Sequence, residues 1–182
     1  MNCCWPLARW LSVLLAGVLL NLGCSDASGE SSRQTPIAIS KSPVSSPSEV
    51  LGGCGATPAY DGGQPAWLVE SGAHNNPNGV PYVLAIPQTA AGFIFGYPLR
   101  AGHPTSPSNK ILWVVRLPRN GSSLSLTGSL SGSDKPAFSR SFAANSGPGE
   151  IYPSIVDVPE PGCWRIDLGW SGNKTTAYLE YR

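Results

Sequence analysis

Apolar and polar residues alternate strictly between positions 163 and 170. Trp164, Ile166, Leu168 and Trp170 fall on one side, Cys163, Arg165, Asp167 and Gly169 on the other. Successive side chains of a β-strand point to opposite faces, so this is the pattern of a half-buried strand. Pro159-Glu160-Pro161-Gly162 stands just before it. Two prolines remove two backbone donors and fix two φ angles there, so the chain turns and enters the strand at Cys163. Residues 123–130 alternate in the same way, with Leu124, Leu126 and Leu130 inward and serines outward. Residues 137–142 place Phe138 and Phe142 inward with Arg140 in the same register, which demands a partner or a sheet edge for that guanidinium. Residues 110–117 are apolar on both faces except at Arg116 and predict a central strand. Short apolar runs at residues 66–70, 81–86, 92–97, 155–158 and 175–181 complete eight or nine strands at roughly ten-residue spacing. Glycine- and proline-rich connections separate them, and no 3.6-residue period is found among them. The pattern predicts an all-β fold, an antiparallel immunoglobulin-like sandwich.

Upstream the pattern changes. Residues 10–22, WLSVLLAGVLLNL, are an apolar run after a single positive charge. About thirteen residues span a bilayer poorly but match the apolar region of a signal peptide. Leu22-Gly23-Cys24-Ser25 follows and resembles the lipobox of bacterial lipoproteins, whose cysteine becomes the lipidated first residue of the mature chain. Asn21 stands where that motif usually carries Leu, Val or Ile. The alternative is cleavage after Ala27, which would release a soluble secreted protein; both routes export the domain. Residues 25–53 are rich in serine, with little apolar surface to offset their chain entropy, and read as a tether. A flexible coil of that length would hold a domain on the order of 30 Å from its anchor. The expected organisation is a signal peptide over residues 1–23, a disordered tether over 24–53 and a β-sandwich over 54–182, lipid-anchored to the bacterial membrane and facing outward.

Charge narrows the partners. The whole chain carries 12 Lys and Arg against 11 Asp and Glu, for a net charge of +1. The basic residues are scattered singly, so the stripe that a nucleic-acid partner would require is missing. Of the five cysteines, Cys3 and Cys4 leave with the signal peptide and Cys24 is the lipidation candidate. Cys54 and Cys163 remain, and in an exported domain they are expected to pair. Since Cys163 opens its strand on the face opposite Trp164, the bridge should pin the N-terminal segment to the rim of the sandwich.

Candidate chemistry is sparse. His74 and His103, with Asp61, lack ligand spacing, and neither a metal centre nor a cofactor is expected. No G-x-S-x-G elbow supports a catalytic serine. Asp157, Asp167, Glu150 and Glu160 could serve as a glycosidase pair only if two of them faced each other across a cleft. Trp67, Trp113, Trp164 and Trp170 all sit in strand patterns and are expected in the core; on an exposed face, with Tyr97 or Tyr178, they would form a stacking platform for sugars. Arg100, His103 and Lys110 flank a long loop and mark a possible binding surface.

Asn109-Lys110-Ile111-Leu112-Trp113, Tyr152-Pro153-Ser154 and Pro161-Gly162-Cys163-Trp164-Arg165 together resemble a group of functionally uncharacterised bacterial lipoproteins and secreted β-sandwich proteins, with an N-K-x-x-W segment, a P-S pair and a P-x-x-G-x-W turn. The resemblance covers about residues 92–181. It implies an immunoglobulin-like sandwich at the cell surface and brings no catalytic residues with it. A non-enzymatic, membrane-anchored binding domain is the leading expectation. A carbohydrate-binding module is the alternative, and a hydrolase with paired carboxylates the third.

Overall fold

The computed structural model describes residues 46–73, 76, 79–116, 119–144 and 151–182. Their elements are β1 (Ser48–Cys54), β2 (Thr57–Asp61), α1 (Ala66–Glu70), β3 (Tyr82–Leu84), β4 (Ala90–Ile94), β5 (Lys110–Val115), β6 (Leu124–Leu130), β7 (Phe138–Phe142), β8 (Ile151–Ile155), β9 (Gly162–Trp170) and β10 (Asn173–Tyr181). The strands join in the order β7-β6-β9-β10-β1-β2-β3-β4-β5-β8, and every neighbouring pair is antiparallel.

β1 is where the sheet turns over. Ser48 to Val50 pair with Asp61 to Ala59 of β2, Gly53 pairs with Leu179 of β10, and the register breaks between Val50 and Cys54. A strand that changes partners at such an irregularity makes a corner between two packed layers. The fold is thus an antiparallel β-sandwich. Ile111, Trp113 and Tyr152 of one layer meet Leu126, Trp164, Ile166, Leu168 and Leu179 of the other in one buried cluster. β9 obeys its alternation: Trp164, Ile166, Leu168 and Trp170 are buried, and the residues between them are not. Two glycines each leave room for the aromatic directly opposite. A Cβ at Gly92 would lie 2.6 Å from the Trp113 ring, and one at Gly128 2.2 Å from that of Phe138.

Arg140 finds the edge its register demanded. β7 is terminal in the sheet, and Arg140 donates from Nη1 to Ile155 O at 3.1 Å while lying over the Phe138 ring. The Cys54–Cys163 disulfide links β1 to β9. Both cysteines are half-buried and belong to neither apolar cluster, which is the rim position expected of them.

Four expectations need correction. Ala66–Glu70, read as a strand, is a short helix that starts after Pro65. Trp67 and Leu68, adjacent in sequence, are both buried; a helix puts them on one side, whereas a strand would point them apart. They pack with Tyr82, Phe93 and Val114 in a second cluster on the outer face of β3, β4 and β5. The strand expected over residues 155–158 lies at Ile151–Ile155 instead. Ser48 to Gly53, read as tether, belong to β1, and β2 was not foreseen at all. Ser129, expected outward, is 7% exposed.

Candidate functional site

The 95–109 connection between β4 and β5 carries two of the three residues singled out as a binding surface, and Lys110 follows it. Asn109, 1% exposed, organises it from within. Its Nδ2 donates to Arg100 O at 2.7 Å and to Asp157 Oδ1 at 2.9 Å, and its Oδ1 accepts from Arg100 N at 3.0 Å. Arg100 Nη2 donates to Ser106 O and Pro107 O, so this guanidinium braces its own loop. His103 Nδ1 lies 3.0 Å from Asp157 Oδ2, with the imidazole 80% exposed. Lys110 turns elsewhere, to the ring of Phe95 at 5.4 Å. The three residues are near in sequence but each has a different partner, and they do not converge on one point.

The four tryptophans of the described residues are buried: Trp67 at 8%, Trp113 at 0%, Trp164 at 1% and Trp170 at 3% exposure. The core expectation holds, and the tryptophan stacking platform is not formed. Among the described residues, Asp157 and Asp167 are held by separate sets of partners. Asp157 accepts from His103 and Asn109, whereas Asp167 is held by Arg165 and Thr176 on another strand face. Glu160 uses its backbone carbonyl to accept from Trp164 Nε1. His74, Glu150 and Cys24 lie outside the described residues. Among the described residues no three His, Cys, Asp or Glu side chains come together.

A groove of about 600 Å³ lies on the outer face of β6, β9 and β10. Its floor follows from pairing. Ser139, Thr127, Asp167 and Thr176 stand opposite one another across β7, β6, β9 and β10, and Ser141, Ser125, Gly169 and Lys174 form the next row. Directly opposed residues share a face, so hydroxyls pave this one. Arg165 grips Asp167 at the centre through Nε at 3.0–3.1 Å and Nη2 at 2.7 Å. Thr176 Oγ1 donates to Asp167 Oδ1 at 2.7 Å, and Ser125 Oγ donates to Gly169 O at 2.9 Å. Burial pushes the Asp167 carboxyl up, but the hydrogen bonds from Arg165 and Thr176 outweigh it and hold the group below its ordinary value.

One wall is apolar. Ile86, 48% exposed, and Pro87 line the groove. Ile86 and Thr176 exchange backbone hydrogen bonds at 2.7 and 3.1 Å, and Thr175 Oγ1 donates to Pro87 O at 2.6 Å. The wall is therefore fixed to β10. Sequence reasoning named Asp167 as a possible acid but missed the groove. The available signal was hydroxyl residues at every second position of two strands, which read as ordinary solvated faces. Comparison with protein-family models, curated proteins and solved structures finds no match.

Proposed function

We propose that this chain is a non-enzymatic, lipid-anchored extracytoplasmic protein whose β-sandwich binds a component of the cell envelope or an extracellular ligand. The observation that carries the reading is the division of labour between the sandwich's outer faces. One is spent on packing against α1. The other carries a groove with a hydroxyl floor and an apolar wall, braced by the Arg165–Asp167 pair and the Ile86–Thr176 bridge. A disulfide stapling a single small domain favours an oxidising, exported setting. The lipobox-like Leu22-Gly23-Cys24-Ser25 supports anchoring at Cys24, and kinship with immunoglobulin-like lipoproteins belongs to the same proposal. Glycan binding remains the second reading, now favoured by the groove rather than by exposed tryptophan.

Intact mass tests the anchor and the staple together. Protein purified from its native membrane fraction should begin at Cys24 with a diacylglyceryl addition, and should gain two alkyl groups only after reduction. A soluble, unlipidated species with two freely alkylated thiols would overturn the proposal.

A further inference from the structure

Resting on the binding-domain reading, we propose that the groove on the outer face of β6, β9 and β10 binds a neutral polyhydroxylated chain, a glycan strand, through its hydroxyl floor and its Ile86-Pro87 wall. The match is one of amphipathicity. A sugar ring presents hydroxyls around its edge and C–H groups on its faces. The groove offers Thr127, which can donate or accept, and Ser125 and Thr176, whose protons go to Gly169 O and Asp167 Oδ1 and whose oxygens can still accept, beneath an exposed apolar ledge. Arg165 adds Nη1, which makes no hydrogen bond among the described residues, beside a carboxylate that accepts.

Charge argues against the competing ligand classes. Arg165 is neutralised at close range by Asp167, which among the described residues leaves Lys174 as the one uncompensated charge lining the groove. A polyanion would meet a single cation, and a polycation would meet none of opposite sign. The volume of about 600 Å³ lies in the range of small-ligand sites, on the order of 300–1,000 Å³. Rigidity supports recognition as well. The wall is pinned to Thr175 and Thr176, and Ser125 Oγ is tied to Gly169 O at 2.9 Å. Polar groups held in place before binding cost less ordering when a ligand arrives.

Amide NMR titration of the full chain with cellopentaose, xylopentaose and chitopentaose tests this, with heparin as the polyanionic comparison. The expected result is that at least one neutral oligosaccharide shifts the amides of Thr127, Arg165, Asp167 and Thr176. Thr127→Trp, which fills the floor, should weaken binding at least tenfold. Arg165→Met, which leaves the backbone ladder intact, should weaken it several-fold and is the test that stands where Thr127→Trp fails to fold; each variant's own spectrum reports its fold. No shift with any neutral oligosaccharide at millimolar concentration overturns the inference. So do shifts confined to the 95–109 connection, or binding of heparin alone. None of these outcomes bears on the anchor and staple masses, so failure of the glycan inference is distinguishable from failure of the broader reading.

Discussion

Asn109 uses both amide hydrogens and its carbonyl oxygen on Arg100 and Asp157 while only 1% exposed. Asn109→Leu keeps the volume but leaves the Arg100 backbone N–H and C=O and one Asp157 oxygen without this partner. An unsatisfied buried group costs about 1–3 kcal/mol. The expected loss is about 2–3 kcal/mol, since water reaches part of the loop, and a lower urea midpoint at unchanged slope would show it. Asp167 yields a pH dependence instead. Its folded pKa lies below the ordinary 3.8, so the unfolded chain binds more protons as the medium acidifies. The stability this group contributes is therefore present above that value and lost as pH falls through the folded one. With 36% of the side chain exposed the effect is modest and should shrink with salt. Asp167→Asn is expected to flatten the fall in urea midpoint between about pH 5 and about pH 2. An unchanged slope would show that Arg165 and Thr176 do not favour the charged form.

β1 depends on its staple more than any other strand. Its ladder with β10 holds the single register pair Gly53–Leu179, and the disulfide joins its last residue to β9 across 109 positions of sequence. Closing a loop of that length removes chain entropy worth about 4–5 kcal/mol in the unfolded state, as an upper figure. The double change Cys54→Ser with Cys163→Ser should cost up to that amount. Hydrogen exchange should quicken first at Ser48 to Val50, while β9 and β10 stay protected; uniform loss across all strands would count against a local role. The elements differ in how openly the chain states them. β9 is explicit because every inward residue is large and apolar. β8 is hidden because its inward residues are Tyr152 and Ser154, 0% and 5% exposed, while Ile155 faces out at 48%. Pro153 is tolerated there because β8 ends the sheet. α1 spans one turn or so, too short for a helical period to emerge from five residues. β1 sits in a serine- and proline-rich stretch, and its partners Asp61 to Ala59 and Leu179 give it order from a distance. The groove was illegible for the same reason: Ile86 and Pro87 reach the floor only through pairing with Thr176, some ninety positions later.

Taken whole, the molecule treats its two outer faces unequally. The layer of β3, β4 and β5 is buried on both sides, by the main core within and by Trp67 and Leu68 of α1 without. The layer of β6, β9 and β10 is buried on its inner side alone and presents Ser125, Thr127, Asp167 and Thr176 on the other. That asymmetry separates a change in stability from a change in the binding face. Leu68 is fully buried in the smaller cluster, and Leu68→Ala should cost about 2–4 kcal/mol, with the lower part of that range reached if Trp67 closes over the gap. In the amide NMR spectrum of this variant the peaks of Tyr82, Phe93 and Val114 should move, because their side chains line the new cavity. Those of Thr127, Asp167 and Thr176 should keep their positions, since the main core lies between the two faces and separated sites respond independently. Movement of the second group would mean that strain at α1 passes along β3 to Ile86 and on to Thr176 through their backbone bridge. The groove's shape would then depend on the packing of the opposite face, and the two faces could not be tuned separately.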